Sequence, residues 1–312
     1  MKKVFIIGGG IVGAMVARRC HSLGYSVSVL DNFQRAHESA SKLACAVWRD
    51  TWYKGSTMYE KAFAALSETR IQFHHIDSHI ITKHHDTIKR SLQKSYQVDN
   101  LSDITLYENP ERFCDEVING EVTEITSYNG KTKITYKDIR SQKSLELYLT
   151  DTTVYVCAGH KTPELLNVPL SNYTTTNGVA AIHDGIIVSK DKPSIITNNG
   201  KQYTYIYNIQ PHKNAVVRQT IINGKNKIIV RLPWEAKGNE ADKLKYNAFI
   251  KYFYEYTEYA QKHEKYELKY GTRLHSKTDE FVIKINENLI GICGTGKDTL
   301  LLSSIIIKDL IK

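Results

Sequence analysis

The stretch from residue 3 to residue 31 narrows the possible folds more than any other part of the chain. Lys3 to Ile7 (KVFII) is short, apolar and rich in β-branched residues, the pattern of a buried parallel strand. It runs directly into Gly8-Gly9-Gly10-Ile11-Val12-Gly13. A helical pattern follows, with Val12, Met15, Val16, Cys20 and Leu23 spaced by three and four, and Gly24 fits the helix C-terminus. Ser26 to Leu30 (SVSVL) reads as a second strand, closed by Asp31. Strand, G-x-G-x-x-G, helix, strand and acid in this order form a βαβ dinucleotide unit. Gly8 permits the tight turn, Gly10 lets the backbone approach a pyrophosphate, and Gly13 lets the helix pack close to the strand. The N–H groups at the helix start, around Ile11 and Val12, favour phosphate together with the helix dipole. Asp31 stands 18 residues after Gly13, placed to accept hydrogen bonds from ribose hydroxyls and to disfavour a 2′-phosphate. The fingerprint alone leaves NAD and FAD open.

The other end of the chain repeats the theme. Asn288 to Cys293 reads as a strand, Gly294-Thr295-Gly296-Lys297-Asp298-Thr299 as a loop, and Leu300 to Ile311 as an apolar helix. A second helix N-terminus behind a glycine loop suits an anion or a polarised carbonyl. Two such loops, at opposite ends of the sequence, suit a long cofactor with a pyrophosphate at one end and an electron-poor ring at the other.

On these motifs the chain resembles the D-amino-acid oxidase and glycine/sarcosine oxidase family of FAD-dependent oxidoreductases. The segments that carry the likeness are GGGIVGAMVARRCHSLGYSVSVLD, ESASKLACAV, GEVTEI, TVYVCAGHKTPEL, GTRLHSKTDEF and GICGTGKDTLLLSS, in the family's order. The resemblance implies an α/β fold in which a Rossmann-like FAD-binding domain of the GR2/DAO type is interleaved with a β-rich α+β substrate domain. The expected FAD-binding domain is discontinuous (1–70, 112–175 and 268–312), and the substrate domain takes 71–111 and 176–267. It further implies that Gly8, Gly10, Ile11, Val12, Gly13 and Asp31 bind the ADP half of FAD. Ser39, Ala40, Ser41 and Lys42 form the loop past the pyrophosphate and ring. Val122 contacts adenine through its main chain, and Ala158 and Gly159 pass near the pyrophosphate and ribose. Gly294, Gly296, Lys297 and Thr299 lie on the loop that offers N–H groups to the isoalloxazine carbonyls. Arg273 takes the family's carboxylate-binding position over the flavin. Leu274 stands where the family usually has Pro, the stretch before GEVTEI is too short for the family's long helix, and Lys297 and Asp298 are bulkier than usual.

The expected activity is hydride transfer to flavin from the carbon bearing an amine or amino-acid nitrogen, giving an imine. A bidentate Arg suits a carboxylate substrate. Tyr205, Tyr207, Arg218, Arg231 and Trp234 are candidates to complete the substrate cage, with Tyr205 and Trp234 foremost, and Trp48, Arg49 and Trp52 to wall the flavin. Two other readings stay open. With 42 Lys and Arg against 33 Asp and Glu, the net charge is +9, which favours acidic partners. One alternative therefore keeps the flavin and acts on a nucleic-acid-attached amine or aminoacyl group, through Arg90, Lys94, Lys213, Arg218, Lys225, Lys227 and Arg231. The other is a dinucleotide-binding protein without oxidase activity.

The remaining signals are mostly exclusions. The five cysteines form no CxxC, so a cytoplasmic protein without a disulfide framework or zinc site is expected. No apolar run reaches the ~20 residues of a membrane span and no signal peptide is expected. GxSxG, GxxxxGK[ST] and HExxH are absent, which leaves serine hydrolase, P-loop and zinc-protease chemistry without support. His74, His75, His79, His84 and His85 cluster, but alternation along a strand would split them between faces, and no metal site is expected. Helices are predicted over 56–70, 86–96 and 241–262. Strands are predicted over 203–207, 215–221 and 227–232, with a hairpin turn at Asn129-Gly130.

Overall fold

The structure, a computed structural model, describes residues 1–34, 39–41, 47–49, 57–69, 71, 73–84, 87–98, 104–184, 204–209, 213–222, 225–256 and 266–312. Within these, only the backbone is described for 47–49, 57–59, 73–84, 87–97, 184, 204–209, 213–222, 225–228, 231–235, 249–256 and 297. The elements in order are β1 (Lys3–Ile7), α1 (Ile11–Ser22), β2 (Ser26–Asp31), β3 (Val47–Arg49), α2 (Thr57–Glu68), β4 (Phe73–His84), β5 (Thr87–Val98), β6 (Glu116–Tyr128), β7 (Lys131–Asp138), β8 (Ser144–Leu149), β9 (Thr152–Val156), α3 (Thr162–Leu165), β10 (Tyr173–Asp184), β11 (Thr204–Ile209), β12 (Lys213–Ile222), β13 (Lys225–Glu235), α4 (Asn239–Tyr256), β14 (Tyr266–Ser276), β15 (Val282–Asn286), β16 (Leu289–Ile292) and α5 (Thr299–Leu310).

They build two eight-stranded sheets, ordered β15-β16-β9-β1-β2-β6-β7-β8 and β14-β10-β13-β12-β11-β4-β5-β3. In the first sheet β16, β9, β1, β2 and β6 run parallel. Parallel strands are covered on both faces, which is why β1 is apolar without alternation. One face, carrying Val4, Ile6, Val27 and Val29, lies in a buried cluster with residues of α1, α2 and α5. The other, carrying Phe5, Ile7, Leu30, Val154 and Val156, packs with Ile134, Tyr136 and Leu166 from the β7 hairpin and the end of α3. Ser304 Oγ of α5 donates to the Ala62 carbonyl of α2 at 3.0 Å. Lys308 pairs with Glu68 at 2.6 Å, so the last helix is tied to the second. The Asn129-Gly130 turn has φ of 49° and 73°, as a two-residue hairpin loop of the primed type needs.

The second sheet is antiparallel except for β11 beside β4. Here the structure corrects one expectation. Residues 87–98 form a strand, not a helix, and pair along their whole length with β4, from His84↔Thr87 to Phe73↔Val98. Ile88, Leu92, Tyr96 and Val98 fit a period of two as well as near-helical spacing, and the long partner strand decides between them. The cluster histidines His74, His75, His79 and His84 lie on β4 and His85 lies outside the described residues. Among the described residues no helix is long and apolar enough to cross a membrane.

Candidate cofactor site

Because β16, β9, β1, β2 and β6 are parallel, their C-terminal ends share one edge of the first sheet, in that order. The loops at 293–296, 157–160 and 8–10, the acid Asp31 and the stretch after Asn119 therefore leave from the same edge, where ligands of open α/β sheets bind. Strands sit ~4.8 Å apart, so the Gly8 and Gly294 loops, two strands apart, are separated by about 10 Å across the sheet. The two glycine loops from opposite ends of the sequence are thus brought together.

The glycines here are required by space. Gly8 has φ of +105°, and a β-carbon on it would collide with the Cys157 carbonyl of the neighbouring loop. A β-carbon on Gly13 would collide with the Gly8 carbonyl oxygen. Gly10 caps α1 without a side-chain hydrogen bond. Instead Ser41 Oγ accepts from Ile11 N at 3.1 Å, and Ser39 Oγ accepts from Ser41 N at 3.2 Å. The 39–41 loop thus lies over the helix N-terminus, leaving a cluster of backbone donors and hydroxyls suited to a diphosphate.

Asp31 Oδ2 accepts from Gly9 N at 2.6 Å, and Oδ1 from Asn32 N at 2.7 Å. Burial pushes its carboxyl above the usual range, opposed by these two bonds, by Tyr107 and by the charge of Lys161. Lys161 itself pairs with Glu121 at 2.9 Å. Three residues beyond Asn119, the register partner of Asp31, Val122 follows at the same edge. Ala158 and Gly159 lie in the loop after β9, and Gly159 takes φ of +60° in open space.

At the flavin-loop end, Gly294 and Gly296 have φ of +79° and +56°. The loop is closed by Thr299 Oγ1, which donates to the Gly296 carbonyl at 2.6 Å. It docks on the second sheet through β14: Ser276 N donates to the Gly294 carbonyl at 2.9 Å, and His275 and Thr295 form an isolated antiparallel bridge. A β-carbon on Gly296 would strike the His275 imidazole, so His275 faces the loop. Arg273 stands two residues earlier on the same strand, hence on the same face. Leu274 between them is buried and stands opposite Thr175 in the ladder, so its side chain anchors the strand.

The other expected substrate residues are less close. Tyr205 shares a register row with Val217, Val230, Ala181 and Leu268, the face of β14 opposite to Arg273. Trp234 lies on β13, two strands from β14, at an irregular stretch of the β10–β13 ladder. The register therefore does not bring Tyr205 beside Arg273. Lys42 and Trp52 lie outside the described residues, as do the side chains of Trp48, Arg49, Tyr205, Tyr207, Arg218, Arg231, Trp234 and Lys297. Sequence reading missed three residues at this edge. They are Tyr107, Asn119, whose Oδ1 accepts from Phe33 N at 3.1 Å, and His275. Only His275 had a signal, its spacing from Arg273.

Residues 3–103 match the family model described as FAD dependent oxidoreductase (DAO). The fold comparison extends the likeness beyond that stretch. A glycine oxidase from Bacillus cereus superposes with a TM-score of 0.64 at 14% identity, over 100% of this chain and 96% of its own. An iminodiacetate oxidase from Chelativorans sp. BNC1 gives 0.61 at 12% identity, over 98% and 93%. A glycerol-3-phosphate dehydrogenase from Bacillus halodurans, complexed with FAD, gives 0.65 at 14% identity. This chain spans 100% of itself but only 64% of that dehydrogenase. No curated protein matches the sequence. A Rossmann-like sheet beside a β-rich second sheet is thus the fold that the resemblance implies, and FAD is the cofactor that the matching family model names.

Proposed function

We propose that this chain is an FAD-dependent oxidoreductase that oxidises the C–N bond of an amine or amino acid. The observation that carries the reading is the convergence of the Gly8–Gly13 and Gly294–Gly296 loops on one sheet edge, with Arg273 beside the second of them. The residues fit FAD. Steric exclusion of any side chain at Gly8 and Gly13 leaves a cradle for a diphosphate on the α1 N-terminus, Asp31 is in reach of the ribose, and the positive-φ glycines at 294 and 296 turn backbone toward the ring position. When bound, FAD supplies a two-electron acceptor for hydride from the substrate carbon, and the resulting imine hydrolyses in water.

The chain's own part is binding and orientation. Arg273 offers a planar fork of donors that a carboxylate meets in two hydrogen bonds, fixing the substrate over the loop. Such a fork would also hold a phosphate. The carboxylate reading draws support from the glycine and iminodiacetate oxidases, which match nearly their full length to this chain. The test is a visible spectrum of the purified protein followed by anaerobic titration with amino acids, amines and glycerol phosphates. A yellow protein bleached by an amino acid or amine is the expected result. A protein that takes up no flavin, or is bleached by glycerol phosphate alone, overturns it.

A further inference from the structure

The unbroken pairing of β14 with β10, from Tyr173↔Ser276 to His183↔Tyr266, sorts the residues of β14 into two faces. The face that carries Tyr266 is taken by α4. The rings of Tyr266 and His183 lie 4.4 and 5.5 Å between centroids from that of Tyr246 on α4, and the Tyr266 hydroxyl donates to Asn247 Oδ1 at 2.9 Å. By alternation the other face carries Glu267, Lys269, Gly271, Arg273 and His275, with Ile182, Ala180, Gly178, Thr176 and Thr174 beside them on β10. This face turns inward. Ala180 belongs to the buried cluster that also holds residues of β1 and α1, and His275 meets the loop at Thr295.

Arg273 thus shares its face with a second cation. Lys269 stands four residues away, about 13 Å by strand rise. Its side chain is 21% exposed, whereas that of Glu267, with which it pairs, is 66% exposed. The ammonium is held against the face, and its counter-charge lies on the solvent side. Between the two cations β14 has no side chain at Gly271. Gly178 stands opposite, and among the described residues a β-carbon on it would meet only the Gly271 carbonyl oxygen, at 3.8 Å. On β13 the row of Lys269 and Ala180 continues to Arg231, and the row of Gly271 and Gly178 to Glu235.

We propose that the substrate is an amino acid or amine with a second acidic group, and that Lys269 reads it. Arg273 takes the carboxylate beside the reacting carbon. The arm of the substrate lies over Gly271 and Gly178, and Lys269 takes the acidic group at its far end, exchanging Glu267 for it. Two cations fixed along one strand select for arm length as well as for charge. The proposal rests on the reading of Arg273 as the substrate-carboxylate ligand and adds the distal half of the same site.

The test uses the flavin-loaded protein and acids without an amine, so that binding is read by calorimetry with no turnover. Glutarate is expected to bind roughly 10- to 100-fold more tightly than butyrate. Lys269→Met is expected to erase that ratio, Lys269→Arg to retain most of it, and Glu267→Gln to raise it by up to about 5-fold. A merely structural Lys269 would weaken both acids alike and leave the ratio standing. That outcome overturns the proposal, as does equal binding of the two acids by wild type. In anaerobic bleaching, aspartate or glutamate, each tried as both enantiomers, is expected to reduce the flavin faster than alanine or norvaline. Faster bleaching by ornithine or lysine assigns the reading to the acid of the Gly178 row, Glu235, and overturns the proposal. If no amino acid or amine bleaches the flavin, the oxidase reading itself fails and this inference with it. If neutral amino acids bleach it best, only the role of Lys269 fails.

Discussion

Gly13 shows how little room a single position can leave. A β-carbon there has no place except against the Gly8 carbonyl, which is backbone and cannot swing away. Gly13→Ala is expected to cost about 1–3 kcal/mol of stability and to abolish retained flavin, checked by chemical denaturation and by the absorbance of the purified variant. Asp31 yields a pH dependence. Burial raises its carboxyl above the usual range, whereas ribose hydroxyls donate to the ionised form, so FAD binding draws that value down. A group whose value falls on binding releases its proton as the ligand docks. FAD affinity is therefore expected to rise with pH through the titration of Asp31 in the free protein and to level off above it. In Asp31→Asn this slope vanishes, as quenching titrations at fixed ionic strength would record. The thiols behave differently. Burial pushes Cys293 up to about 11 and Cys20 up to about 12, so neither offers a thiolate at neutral pH. Thiol alkylation followed by peptide mass spectrometry is expected to leave Cys20 and Cys293 unlabelled until the protein unfolds.

At the scale of elements, β14 and α5 carry the arguments. Arg273→Met is expected to keep the flavin spectrum and to weaken substrate bleaching by about 10²-fold or more, the loss of a charge-assisted pair, measured by anaerobic stopped flow. Ile307 is buried in the cluster that α5 shares with α1 and α2, and Ile307→Ala is expected to cost about 2–4 kcal/mol, read as a lower melting temperature. How far the elements were legible follows from how local their signals are. The βαβ unit was readable because strand, glycine turn, helix and acid are contiguous and each glycine has a steric cause. The Gly294 loop and α5 were readable for the same reason. The β5 strand was not, because Ile88, Leu92 and Tyr96 satisfy two periods at once and only pairing with β4 separates them. Tyr107 was invisible too. The irregular segment that holds it meets Gly9 only through tertiary closure, and no spacing in the sequence announces that contact.

For the whole molecule, the proposed site has FAD bridging elements from both ends of the chain, so its binding free energy would add to global stability. At free FAD of 100 times Kd the native state gains about 2.7 kcal/mol, and a single melting transition shifted upward is expected by calorimetry. Hydrogen exchange should show residues 8–13 and 294–299 gaining protection together. Protection of one stretch alone would break the link. The bridge between His275 and Thr295 carries a last consequence. In the proposed site Arg273, which holds the substrate, and His275, which braces the 294–296 loop, stand two positions apart along one extended strand, roughly 7 Å by strand rise. A swivel between the two sheets would carry both together, so the reach from substrate to ring is gauged by a stretch of backbone too short to flex.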